Sequence, residues 1–238
     1  MSSFTLEQLA ESDDERSQEL ATLASIFPDE LRILSASSAI AVIPISPLAP
    51  LDATLSTSSA TARLHHLPPL HLKIDLPELY PADAPPALEL STTPPWLPAE
   101  KLEELEQECL QLWEEYGRGQ VLYSIIDHIQ QCVERGFDLK AVPVSDDDMW
   151  KTLTTFNHAS KKELFERSTF DCSFCLEPRK GRVCHAIRSC GHVFCKNCLV
   201  DYFATLITEG DVSSVRCVNG ACPRQAHWTL HLLMAVGS

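Results

Sequence analysis

"CSFCLEPRKGRVCHAIRSCGHVFCKNC", Cys172–Cys198, concentrates the chemistry of this chain. It holds Cys172, Cys175, Cys184, Cys190, Cys195 and Cys198, together with His185 and His192. Such a run admits a disulfide framework, an activated thiol, or ligands for a metal. The residues around it decide between the three.

The cysteines are unevenly spread. Cys217 and Cys222 follow the run, and only Cys109 and Cys132 precede it. That imbalance predicts two domains within the 238 residues. The N-terminus "MSSFTLEQLAESDDERSQEL" is polar and acidic, unlike a signal peptide. The expected compartment is therefore reducing, cytoplasmic or nuclear, where clustered Cys favour metal binding or catalysis over disulfides. A net charge of -14 argues against a nucleic-acid binder held by phosphate contacts. The longest apolar stretch, "AIAVIPISPLAPL" from Ala39, is broken by three prolines. A membrane-spanning helix needs about 20 apolar residues, so no membrane partner is expected.

The spacing of the C-terminal ligand-type residues is Cys172-x2-Cys175-x14-Cys190-x-His192-x2-Cys195-x2-Cys198-x18-Cys217-x4-Cys222. Seven Cys and one His match the donors of two tetrahedral zinc sites. Cys-x2-Cys suits zinc because one tight turn brings both sulfurs to about 2.3 Å from an ion. Gly191, between Cys190 and His192, permits a sharp turn there. Few apolar residues surround these ligands outside "LVDYFATLI", so bound metal would supply much of the folding free energy, about 10 kcal/mol per structural site. Four protein donors close each site, which disfavours zinc-dependent hydrolysis. Spacing alone leaves the pairing open between a sequential and an interleaved arrangement.

The first part of the chain reads as an α+β domain. Ser12 and Glu15 suggest a capping box, followed at helical spacing by Leu20, Leu23, Ala24 and Phe27. Pro28 ends that helix. "LRILSA", "AIAVIPI", "LHLKIDL" and "ALEL" have strand character, with Leu70, Leu72, Ile74 and Leu76 alternating against His71, Lys73 and Asp75. "SPLAPLDATLSTSSATARLHH" reads as a loose loop, and the prolines of "ELYPADAPPALEL" exclude helix and central strand. Pro98 opens a helix with Leu102, Leu105, Cys109, Leu112, Trp113 and Tyr116 on its apolar face, closed by Gly117 and Gly119. A second helix turns Leu122, Ile125, Ile126, Ile129 and Val133 inward and stops at Gly136. The order is helix, four strands, two helices, with the helices against an antiparallel sheet. "VPVSDDDMWKTL" reads as a linker into a helix that carries Trp150, Leu153, Phe156, Leu164 and Phe165 towards the Cys cluster.

The C-terminal pattern resembles a RING finger. That resemblance implies a cross-brace, with Cys172, Cys175, Cys195 and Cys198 on one zinc and Cys190, His192, Cys217 and Cys222 on the other. Ordinary RING fingers end in Cys-x2-Cys, whereas "CVNGAC" and "CKNCLVDYFATLITEG" are similar to the first RING of the RING-between-RING ubiquitin ligases. "ELATLASIFPDE", "PPWL" and the Tyr80, Pro81, Pro85 element resemble the RWD domain. Together they resemble ligases of the ring finger protein 14 type, and three segments are expected. Residues 1–135 form an RWD-like interaction domain, 136–168 a linker with a helix, and 169–238 a RING finger with its tail.

The resemblance implies an E3 ubiquitin transferase that recruits a ubiquitin-charged conjugating enzyme, with a further protein partner for the RWD domain. Phe174, with Tyr202 or Phe203, would touch the conjugating enzyme. The family carries its acceptor Cys in a later zinc module. No Cys follows Cys222, so no catalytic residue is assigned here and the chain is expected to lack the in-between-RING and second RING. Pro223 stands immediately after the last ligand, where many RING fingers have a basic residue that locks the conjugate, and Arg224 follows it. The alternative is a non-catalytic adaptor with the same zinc ligands.

Other conspicuous residues have plainer readings. Cys184 is a spare, partly buried thiol, because adjacent side chains on an extended segment point apart and His185 is badly placed as its base. Cys109 and Cys132 belong to apolar helix faces. Tyr80, Pro81, Pro85 and Trp96 shape and cover the sheet, and Asp146, Asp147 and Asp148 make a solvated helix start.

Overall fold

In this computed structural model the described residues are 6–188, 190–211, 217, 219 and 222. The chain divides into two units, at His158/Ala159. The first comprises α1 (Leu6–Ala10), α2 (Glu15–Ile26), β1 (Leu31–Ser35), β2 (Ser38–Ile45), β3 (Leu51–Leu55), β4 (Thr61–Leu64), β5 (Leu67–Asp75), β6 (Ala87–Thr92), α3 (Ala99–Glu115), α4 (Leu122–Glu134), β7 (Val142–Val144) and the start of α5 (Asp147–Arg167).

β1, β2, β5 and β6 make a four-stranded sheet in that order, all pairs antiparallel. Leu70, Leu72 and Ile74 alternate inward along β5 and are fully buried. Pro68 and Pro69 lie in β5 but beyond the end of its ladder with β6, which starts at Leu70 opposite Thr92. On the other side the β2 register shifts between Ile43 and Ile45, so the missing N–H groups fall at an irregularity. α3 packs on β6 and on α4, and α2 on β1 and α4. Leu105, Cys109 and Trp113 of α3 and Leu122, Ile125, Ile126, Ile129 and Val133 of α4 join the core.

Several local expectations are corrected. The cap of α2 is Asp14, whose carboxylate accepts the Arg16 N–H at 3.1 Å, while the Ser12 hydroxyl accepts the Asp14 N–H at 3.2 Å. The "loose loop" is a hairpin: β3 pairs antiparallel with β4, and Leu51, Ala53 and Leu55 alternate inward beneath the Ser- and Thr-rich turn. β7, expected as linker, lies parallel to β3 at the edge of this second sheet, where Pro143 needs no ladder donor. The start of α5 belongs to the first unit, where Leu153, Met149 and Trp150 pack on the core, not on that of the Cys cluster as expected. Leu164 is exposed, and Tyr116 lies past the last turn of α3 in solvent.

The second unit contains the end of α5, β8 (Thr169–Asp171), β9 (Pro178–Lys180), β10 (Cys184–Ala186), β11 (Val193–Cys195) and α6 (Lys196–Glu209). β8 pairs with β9 and β10 with β11, both antiparallel. Phe165 meets Phe170 in a tilted ring contact at 4.8 Å and packs on this unit's core. Among the described residues, five of the ten buried in that core are Cys, beside Ile187, Phe194, Leu199, Phe203 and Leu206. Among the described residues this core is poor in hydrocarbon for a folded unit. Among the described residues no helix is long and apolar enough to cross a membrane.

Candidate metal centre

The ligand-type side chains cluster in turns and at element ends. Cys172 and Cys175 occupy the turn between β8 and β9, closed by the Leu176 N–H donating to the Cys172 carbonyl at 2.8 Å. Cys195 ends β11 and caps α6, and Cys198 follows in the first turn of that helix. Cys190 and His192 flank Gly191 in the connection between β10 and β11. Gly191 has φ +77°, which a side chain would strain, and its N–H donates to Ile187 at 2.7 Å.

Two sets of four donors result. Cys172, Cys175, Cys195 and Cys198 have their sulfurs within 4.8 Å of one another, and so do the donor atoms of Cys190, His192, Cys217 and Cys222. The sets interleave along the chain. Each could hold a metal ion. Sulfurs about 2.3 Å from a tetrahedral zinc stand about 3.8 Å apart, and Cys175 and Cys195 stand at 3.9 Å. A sulfur and an imidazole nitrogen on one zinc stand about 3.6 Å apart, and Cys217 Sγ lies 3.5 Å from His192 Nδ1.

Electrostatics point the same way. Burial raises the Cys172 thiol, but backbone N–H groups of Cys175, Cys195 and Phe174 outweigh it and lower the thiol to about 6. The Cys195 N–H donates to that sulfur at 3.4 Å. Cys198 is pushed up by its hydrogen bond to Cys195, then by burial, because sulfurs this close cannot all ionise without a cation among them.

Of the aromatic residues singled out from sequence, Phe174 is 37% exposed and stands 5.7 Å from Phe194 and 5.5 Å from half-buried Tyr202. Phe203 is turned into the core at 3% exposure and meets Tyr202 from within. Its ring is not presented to a partner, which leaves Phe174 and Tyr202 as the outward pair. Leu176, which the sequence reading passed over, is 83% exposed beside the first turn at φ +56°. Nothing in its local sequence announces that conformation.

Cys184 is buried opposite Cys195 in the β10–β11 ladder, and burial raises its thiol. Cys109 is fully buried, which pushes its thiol up to about 12. Cys132 is also buried in the first core. Pro223 and Arg224 lie outside the described residues.

Comparison with known families matches residues 14–133, half of the chain, to the RWD domain. The chain belongs to the RWD family. Its RWD unit is the four-stranded sheet with α2, α3 and α4. The similarity extends beyond that unit. The "E3 ubiquitin-protein ligase itt1" of Schizosaccharomyces pombe is 32% identical over 72% of this chain and 39% of its own length. The "E3 ubiquitin-protein ligase RNF14" of Danio rerio is 27% identical over 71% of the chain and 45% of its own. That of Homo sapiens is 27% identical over 67% and 43%. The chain is thus an RWD protein of the RNF14 type, spanning less than half the length of these relatives.

Proposed function

We propose that this chain is the RWD and first-RING part of an E3 ubiquitin-protein ligase of the RING-between-RING type. The carrying observation is the interleaved pair of four-donor groups, seven Cys and one His, in the same unit as the Phe174–Tyr202 ring pair. The family membership and the names of the relatives support it.

In this reading Cys172, Cys175, Cys195 and Cys198 hold one structural zinc, and Cys190, His192, Cys217 and Cys222 hold another. Zinc supplies folding free energy and no chemistry, because each ion's positions are filled by protein donors. The first ion fixes the turn that carries Phe174 and the start of α6 that carries Tyr202. These rings, with Leu176 at their margin, form the apolar centre of a docking surface for the ubiquitin-charged conjugating enzyme. Ubiquitin passes to an acceptor Cys supplied by the complete enzyme, not by these residues. The RWD unit binds a separate protein partner, and the protein works in the cytoplasm or nucleus.

The test is titration of a panel of ubiquitin-charged conjugating enzymes into the zinc-loaded chain. Binding that falls at least tenfold in Phe174→Ala and Tyr202→Ala, with zinc content kept, supports the reading. Equal binding by wild type and both variants removes the docking surface. A chain that binds conjugating enzyme without supporting ubiquitin transfer, even when joined to the remaining modules of a relative, is the adaptor instead.

A further inference from the structure

Within the first unit, α3 and α4 bring together a third set of donors: Glu108, His128 and Cys132, their ligand atoms within 4.8 Å of one another. His128 and Cys132 are four residues apart on α4, so they share one helix face, and Glu108 meets them from α3. His128 Nε2 is the shared corner, 2.8 Å from Glu108 Oε2 and 3.7 Å from Cys132 Sγ. The second distance is close to the about 3.6 Å edge between nitrogen and sulfur on one tetrahedral zinc. The first is shorter than the corresponding edge, and Glu108, 40% exposed, is free to withdraw by a fraction of an ångström.

We propose that Glu108, His128 and Cys132 form a zinc-type metal site that clamps α3 to α4. Carboxylate, imidazole and thiolate are all zinc donors, and three protein ligands leave a fourth position open. Glu108 and Cys132 also line a cavity of ≈ 30 Å³, with Lys101, Glu104, Arg135 and Asp138 in its wall, enough for a water-sized fourth ligand. The nearby cations have acidic partners of their own. Lys101 is paired with Glu104 at 2.7 Å. Arg135 reaches Cys132 Sγ at 3.3 Å, yet its exposed guanidinium also pairs with Asp138, to which it retires when the sulfur is taken by metal. A helix-to-helix ion pair needs only Glu108 and His128; the clamp requires the sulfur as well.

The site is independent of the reading given to the C-terminal unit, and the experiment keeps them apart. The full chain and its His128→Gln, Cys132→Ser and Glu108→Gln variants are dialysed against the same micromolar free zinc, and their metal content is measured. The wild type is expected to hold one zinc per chain more than either His128→Gln or Cys132→Ser. Its N-terminal unit should melt higher with zinc than without, a shift lost in both variants. The difference reads this site whatever the C-terminal unit binds. Should a core substitution disturb the fold, Glu108→Gln, at an exposed carboxylate, reads the same loss. Equal zinc content in the wild type and all three variants overturns the proposal.

Discussion

The phenol of Tyr80 donates to Oε2 of Glu19 at 2.7 Å, and Oε1 of that carboxylate accepts the Leu122 N–H at 2.8 Å. The same phenol oxygen accepts the Val121 N–H at 3.1 Å. One buried carboxylate on α2 therefore ties the turn after β5 to the start of α4, where the N-cap residue Val121 has no side-chain cap of its own to offer. Tyr80→Phe would leave one carboxylate oxygen and one backbone N–H without these partners. The expected loss is about 2 kcal/mol in the stability of the RWD unit, measured by urea denaturation.

Glu19 also makes that stability depend on pH. Burial raises its pKa above the ordinary 4.5, and the hydrogen bonds from Tyr80 and Leu122 only partly offset this. A raised carboxyl binds its proton more tightly in the folded state than in the unfolded one. Between pH 4.5 and the raised value, the folded protein holds more protons, so stability falls as pH rises. Subtracting the Glu19→Gln profile from that of the wild type should isolate this downward slope. A flat difference would contradict the burial of an ionisable carboxyl here.

The two helix-ending glycines separate backbone conformation from packing. Gly117 and Gly136 have φ +74° and +66°, so Ala at either is expected to cost about 1 kcal/mol in backbone strain. A methyl at Gly117 meets nothing within 4 Å, whereas one at Gly136 comes within 2.8 Å of Leu51 Cδ2. Gly136→Ala should therefore lower the melting temperature clearly more than Gly117→Ala.

The predictions also show where the sequence could be read. The strands of the main sheet, the apolar faces of α3 and α4 and the donor spacing follow strong periodic or chemical patterns. The β3–β4 hairpin did not, because the alternation of Leu51, Ala53 and Leu55 with Asp52 and Thr54 lasts only five residues amid Pro and Ser. β7 is three residues long and gains its place only by pairing with β3, a long-range contact no local pattern encodes. No local pattern marks Glu19 for burial, because its partner Tyr80 is 61 positions away. Which of Tyr202 and Phe203 faces outward depends on how α6 sits on its small core, which adjacent aromatics leave undetermined.

Neighbouring thiols with different roles give a sharper contrast. Cys184 and Cys195 face each other across the β10–β11 ladder, yet only Cys195 belongs to a four-donor group. Cys184→Ala should cost about 1 kcal/mol and leave metal content unchanged. Cys195→Ser should lower zinc content and abolish the dispersed amide resonances of α6, as read by NMR.

Metal analysis of the purified chain, before and after a strong chelator, tests the central claim most directly. The account predicts zinc bound to both C-terminal donor groups, and loss of that unit's structure on chelation while the RWD unit stays folded. A C-terminal unit that contains no metal and yet keeps its α6 resonances would contradict it.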